Sequence, residues 1–276
     1  KPTKKKPVSK RFLVEGGGPL LLGEQIKSGG AGSVYLLPDK PELVVKIYHD
    51  GVDRAHYEKK LQAMLRLAPD LPDWNEGGEQ LSQIAWPQAI VRDLSGTFRG
   101  FLMPRVKLEE TIELEYILQE RQARAHGLPT GLGSKITLAA NLCAVVAELH
   151  RQKHYVVDLK PVNIRFYRKS LYLAMLDCDG FSIHGEGERH SAPQYTPDYL
   201  APEFHHGESL EDKEEQQDRF ALAVIIFQLL NFGLHPYAGK PKNEQVPTDI
   251  PGRIAGYYYP YGMHPHAAIA PSSVSG

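Results

Sequence analysis

The sequence predicts an α+β fold in two unequal lobes: a small antiparallel, strand-rich N-terminal lobe with one main helix, and a larger helical C-terminal lobe. Three observations predict it. Short runs of β-branched and aromatic residues, bounded by Gly, Pro and Asp, crowd residues 19–106. Helical spacing takes over from residue 109. Two segments beyond it, 134–152 and 218–231, are apolar enough to be buried helices. A crevice between two such lobes is a usual place for a ligand.

Residues 1–18 read as a basic flexible tail, opening on Lys1 and dense in lysine up to Arg11. Residues 19–106 form the first lobe. Ser33-Val-Tyr-Leu-Leu and Glu42-Leu-Val-Val-Lys-Ile-Tyr are its clearest strands, with the turn Pro38-Asp-Lys-Pro between them. Tyr57, Leu61, Met64 and Leu65 place a helix over 54–67, and further strands fit 84–91 and 97–106. Residues 107–276 form the second lobe. Its helix over 134–152 takes Ser134 as cap and lines one face with Ile136, Leu138, Leu142, Val145, Val146 and Leu149. From Gly239 the chain is rich in Pro, Gly, Tyr and His and reads as irregular.

Composition narrows the function. A net charge of −1 gives no case for a nucleic-acid partner. The two cysteines, Cys143 and Cys178, make neither a disulfide framework nor a zinc site alone and suit a reducing, cytoplasmic setting. The apolar stretch at 222–230 is too short to span a bilayer, so no membrane role is expected.

Five constellations carry chemistry. Gly29, Gly30 and Gly32, in Ile26-Lys-Ser-Gly-Gly-Ala-Gly-Ser-Val-Tyr, lie between two strands, where backbone N–H groups can approach phosphate oxygens unhindered; the bland alternative is a tight hairpin. Lys46 sits inside the apolar run Val44-Val-Lys-Ile and needs a partner for its ammonium. Glu58, twelve residues on, can supply it from the helix. Asp158-Leu-Lys-Pro-Val-Asn163 puts a carboxylate, a lysine and an amide within six residues, a set able to accept a proton, neutralise a phosphoryl group and ligate a cation. Asp177, at a strand end 14 residues after Asn163, suits a second cation ligand. Thr196-Pro-Asp-Tyr-Leu-Ala-Pro-Glu203 follows, then Asp218 at the head of an apolar helix.

In this order the parts resemble the eukaryotic-type protein kinases, over about residues 23–239. The resemblance implies a bilobal protein-kinase-like fold and transfer of the γ-phosphate of ATP to Ser or Thr hydroxyls of protein substrates, with Mg2+ (or Mn2+) as cofactor. It implies roles residue by residue. Asp158 is the catalytic base and Lys160 contacts the γ-phosphate. Asn163 and Asp177 hold the metal. Lys27, Ser28, Gly29, Gly30, Gly32 and Val34 cover the nucleotide, and Lys46, held by Glu58, meets its α and β phosphates. Thr196 lies near the substrate hydroxyl, Glu203 braces the segment around it, and Asp218 anchors the catalytic-loop backbone. Gly100-Phe-Leu-Met-Pro-Arg-Val106 resembles the linker between lobes. With Met103 as gatekeeper, Pro104 need offer only its C=O to the adenine and Val106 its N–H.

Four departures qualify the resemblance. Lys27 stands where the family has its first loop glycine. Val156-Val157 replaces the His-Arg before the catalytic Asp, which implies activation without a loop phosphate at that site. Asp177-Cys178-Asp179 replaces Asp-Phe-Gly, with Asp179 as runner-up metal ligand. The C-terminal part is atypical or truncated, and no arginine partner for Glu203 stands out. The loop, linker and Asp-x-Asp segments are similar to bacterial kinases of the tellurite-resistance type of phosphorylation triad. That similarity implies two partners, a metal-dependent protein phosphatase and a von Willebrand A-domain protein. Two rivals remain: a nucleotide-binding pseudokinase that sets a shape, and a small-molecule kinase.

Overall fold

The computed structural model describes residues 11–185 and 187–272. The first part is a seven-stranded sheet in the order β2-β1-β8-β9-β5-β4-β3, each neighbouring pair antiparallel. Its strands are β1 (Arg11–Val14), β2 (Pro19–Leu21), β3 (Gln25–Ser28), β4 (Gly32–Leu36), β5 (Leu43–Tyr48), β8 (Ala89–Arg92) and β9 (Phe98–Pro104). Helix α1 (Arg54–Arg66) follows β5, capped by the Asp53 carboxylate, which accepts from the His56 N–H. A small hairpin, β6 (Trp74–Glu76) and β7 (Glu79–Leu81), precedes β8.

Alternation along β5 explains both faces of the sheet. Val44 and Tyr48 enter the large core that continues into the helical part, whereas Val45 packs with Phe12, Leu20, Val91 and Leu102 on the other face. Lys46 shares the face of Val44 and Tyr48. Glycines flank this strand on both sides. A Cβ at Gly32 would lie 2.6 Å from the Ile47 carbonyl oxygen, and one at Gly100 would strike the Lys46 carbonyl.

The remainder is mainly helical: β10 (Thr111–Glu113), α2 (Glu115–Leu118), α3 (Glu120–Ala125), α4 (Leu132–Arg151), β11 (Ile164–Tyr167), β12 (Leu173–Met175), β13 (Ile183–His184), β14 (Arg189–His190), α5 (Pro202–His205), α6 (Glu214–Leu230), β15 (Gly239–Pro241), α7 (Ile250–Ala255) and β16 (Ile269–Pro271). Helices α4 and α6 pack together, and the β10-β11-β12 sheet lies beside them. One cluster of buried side chains runs without a break from Val34, Met64 and Phe101 to Leu142, Leu149, Ile164 and Ile225.

Several expectations are corrected. Residues 11–14 are not part of a tail: they form β1, because Phe12 buries its ring between β2 and β8 while its neighbours face outward. Residues 1–10 lie outside the described residues. Helix α4 begins at Leu132 behind Gly131, so Ser134 lies inside it and caps nothing, and Ile136 is 53% exposed. By length and composition α4 could cross a membrane; here Leu138, Leu142, Val145, Val146 and Leu149 bury one face in the core. Helix α6 starts four residues before Asp218. The segment after Gly239 is not irregular throughout: β15 pairs with β16, and α7 is capped by Asp249.

Candidate active site

Three segments meet beneath the sheet. The first is the turn after α4. Lys153 and Val157 take left-handed backbone angles there, a strained choice for a β-branched residue such as Val157. Asp218, fully buried at the start of α6, holds the turn. Its carboxylate accepts from the Val156 N–H at 2.8 Å, the Val157 N–H at 2.7 Å and His150 Nε2 at 3.0 Å. Burial raises the Asp218 pKa, and these donors act against that rise. The expected anchoring role for Asp218 is the one it occupies. His150 escaped sequence reasoning, because its partner lies on another helix 68 residues away.

The loop so held carries Asp158. Its Oδ1 accepts from the Thr196 hydroxyl at 2.6 Å, and its Oδ2 accepts from Asn163 Nδ2 at 3.0 Å and lies 3.1 Å from the Lys160 ammonium. Lys160 also donates to Thr196 Oγ1 at 2.6 Å. Asp158, Lys160, Asn163 and Thr196 are thus brought together as expected. Because the amide nitrogen of Asn163 is spent on Asp158, its amide oxygen is left for another ligand.

The second segment is the turn after β12. Asp177 has φ 54°, ψ 38°, and its side chain is half exposed. It lines one cleft of about 390 Å3 with Asp158, Asn163 and Lys27. Burial pushes the Asp177 carboxyl up, but Lys46 and Lys27 pull it down further, so it sits below the ordinary value. Asp179, the runner-up, is 3% exposed and is not among the residues lining that cleft.

The third segment is the glycine loop between β3 and β4. Gly29, Gly30, Gly32 and Lys46 line a space of about 300 Å3 with Asp177 and Asp179. Ser28 does not line this space; its hydroxyl meets that of Ser33 at 3.2 Å. Lys27 reaches across from β3 to Asp177 Oδ2 at 2.6 Å. Beside it, Ile26, Val34, Val44, Ala85, Met103 and Leu176 line a small apolar slot edged by Pro104 and Val106. The Val106 N–H makes no backbone hydrogen bond among the described residues.

One expected pair is not made. Lys46 does not meet Glu58. It donates to both oxygens of Asp179 at 2.8 Å and lies 3.6 Å from Asp177 Oδ1, while Glu58 accepts from Arg92 at 2.5 Å. The reason is helical phase. The buried positions of α1 are Lys60, Leu61, Ala63 and Met64, and Glu58 falls on the flank toward β8. Burial alone would lower the Lys46 pKa, but the charges of Asp179 and then Asp177 outweigh it, and the ammonium is held above its ordinary value. Glu203 makes no ion pair among the described residues, and the buried Arg253 spends its guanidinium on the carbonyls of Pro247, Tyr237 and Gly239.

No family model matches the chain. Its sequence is 29% identical over 244 residues to a protein kinase named YegI from Escherichia coli K12, an alignment covering 87% of this chain and 36% of that protein. It is 26% identical over 172 residues to mouse MAP kinase-activated protein kinase 5, covering 56% of this chain and 35% of that one. The chain spans about a third of the length of the curated relatives it matches. These likenesses, falling on a chain with this arrangement of carboxylates, lysines and glycines, support a protein kinase.

Proposed function

We propose that this chain is a bilobal protein serine/threonine kinase domain that transfers the γ-phosphate of ATP to hydroxyls of protein substrates. The observation that carries the reading is the wiring of Asp158. A carboxylate bonded to Thr196, Asn163 and Lys160 faces a cleft whose opposite side holds Asp177 and, beyond it, Lys46. Asp158 is placed to take the proton of an incoming hydroxyl, which would displace Thr196. Lys160, already at Thr196 Oγ1, would neutralise charge on the group being transferred.

The residues fit a nucleotide with a hard divalent cation. Among the described residues no group of three His, Cys, Asp or Glu side chains could hold a metal alone. Mg2+ needs no such cage, since it binds through one or two carboxylates, phosphates and water. Asp177 and the Asn163 amide oxygen would hold it, and Lys27, Lys46 and the N–H groups at Gly29, Gly30 and Gly32 would meet the phosphates. The apolar slot under Val34 and Met103 suits a purine, with the Val106 N–H as donor. When bound, MgATP supplies the phosphoryl group and the charge that makes it transferable.

The test is transfer of labelled phosphate from MgATP to a generic protein acceptor. Asp158→Asn should bind nucleotide and lose about 10²–10⁴ in transfer rate; autophosphorylation at the wild-type rate in that variant would refute the base. The Lys27–Asp177 pair favours a second reading, a nucleotide-binding module, because it engages the carboxylate a cation would need. Wild-type protein that binds ATP yet labels no acceptor would establish that reading. The Val156-Val157 pair supports a kinase that works without a loop phosphate. A large gain in activity on phosphorylation within residues 182–196 would contradict this. A place in a triad with a metal-dependent phosphatase and a von Willebrand A-domain protein rests on the loop, linker and Asp-x-Asp motifs, and a reducing cytoplasm rests on the two cysteines alone. Failure of either protein to associate with the chain or to act on its phosphorylation would remove the triad.

A further inference from the structure

A buried ammonium needs an anion, and the anion that holds it decides what moves when the site assembles. Lys46 is 7% exposed, and its anion is Asp179, itself 3% exposed. Tyr48, next but one on the same strand face, donates its hydroxyl to Asp179 Oδ2 at 2.8 Å. Lys60, from the buried face of α1 and 1% exposed, is a second cation whose charge interacts with Asp179. The hydrogen-bond partners of this carboxylate, the Lys46 ammonium and the Tyr48 hydroxyl, are both donors, and both are buried. Asp177 is its opposite: half exposed and on the lining of the cleft. One short turn therefore presents two carboxylates to two different tasks.

We propose that Asp179 is the positioning carboxylate of Lys46, holding the ammonium toward the nucleotide phosphates from the 177–180 turn rather than from helix α1. The assignment rests on the kinase reading above. It carries a consequence: placement of Lys46 follows the turn that bears Asp177, so the lysine and the cation ligand are set together. The Glu58 carboxylate is spent on Arg92 at the sheet and is not required. From α1 the inward-facing charge is the buried Lys60, which makes no ion pair with Asp179 among the described residues but feels its charge.

The test measures ATP affinity, kcat and KM, and the Mg2+ concentration for half-maximal rate in the purified chain. Four variants are compared: Asp179→Asn, Lys46→Met, the double variant, and Glu58→Gln. Asp179→Asn should lower kcat/KM about 100-fold and weaken ATP binding about as much as Lys46→Met. The double variant should bind no worse than either single variant, and the Mg2+ requirement should not move. Glu58→Gln should stay within about threefold of wild type. The proposal is overturned if Glu58→Gln matches Lys46→Met while Asp179→Asn resembles wild type. It is also overturned if extra Mg2+ restores Asp179→Asn, since Asp179 would then be a metal ligand. Should Asp179→Asn fail to fold, Tyr48→Phe removes one bond to Asp179 and leaves no charge unpaired. Its loss of ATP affinity, about three- to tenfold, should vanish in the Lys46→Met background, and an equal loss in both backgrounds counts against the proposal. A wild-type chain that binds ATP but transfers nothing defeats the kinase reading alone, and the binding comparisons still decide for or against Asp179.

Discussion

The loop that carries Asp158 and the β3 hairpin arm that carries Lys27 face each other across one cleft and are held in opposite ways. The first is fastened from below by a buried carboxylate, two backbone N–H groups and a histidine, and from above by Asn163, Lys160 and Thr196. The second is β3, whose four residues are all exposed, and its tie to the far side is one exposed ion pair. Groups that must meet a reacting atom in fixed geometry are preorganised. Groups that must open for a nucleotide are left loosely tied, which suits a cover.

The sharpest way to break this contrast is Asp158→Asn. If Asp158 is the base proposed above, its loss should cost about 10²–10⁴ in rate with ATP affinity nearly unchanged, read by labelled phosphate transfer and by calorimetry. Next is Asp218→Ala, which leaves the N–H groups of Val156 and Val157 and the His150 ring without their acceptor. Unfolding in denaturant should show a loss of about 3–5 kcal/mol, the range for removing one partner from a buried charged network. A variant as stable as wild type would show the turn to be self-supporting.

A third expectation concerns pH. Burial holds His154 neutral, lowering its pKa from 6.5 to about 4, and does the same to His235. Their folded values lie below the unfolded ones. The stability they contribute is therefore full above about pH 6.5 and is lost as pH falls toward 4. Thermal midpoints should drop across that window, and His154→Gln should flatten the slope. The smallest effect belongs to the cover. Lys27 and Asp177 are each about half exposed, so Lys27→Ala should leave the thermal midpoint within a degree or two. It should also lower the Mg2+ needed for half-maximal rate about two- to fivefold, since a competing cation is gone from Asp177. A raised requirement would mean that Lys27 assists the metal instead of competing with it.

Much of this site was legible in the sequence because its signals are local. Asp158, Lys160 and Asn163 fall within six residues and constrain one another whatever surrounds them. The Lys46 strand announced itself by a charge in an apolar run. The identity of its partner did not. Spacing offered Glu58, and although it also marked Leu61 and Met64 as the apolar face of α1, it did not show that Lys60 joins them inside and that Glu58 turns aside to Arg92. Likewise β1 hid in a basic stretch, where one buried ring, Phe12, outweighs the charges around it.

By itself the sequence determined the alternation that puts Lys46 on the face of Val44 and Tyr48, the glycines that admit a close approach, and the local set around Asp158. All of these depend on neighbours a few residues apart, where backbone geometry leaves few choices. Only the tertiary structure decided that Lys46 answers to Asp179, that Asp218 on α6, itself bonded by His150, braces the loop, and that Lys27 crosses to Asp177. Those contacts span 61 to 150 residues, and which charge meets which at that range depends on how whole elements bury their apolar faces, a result the folded core settles collectively.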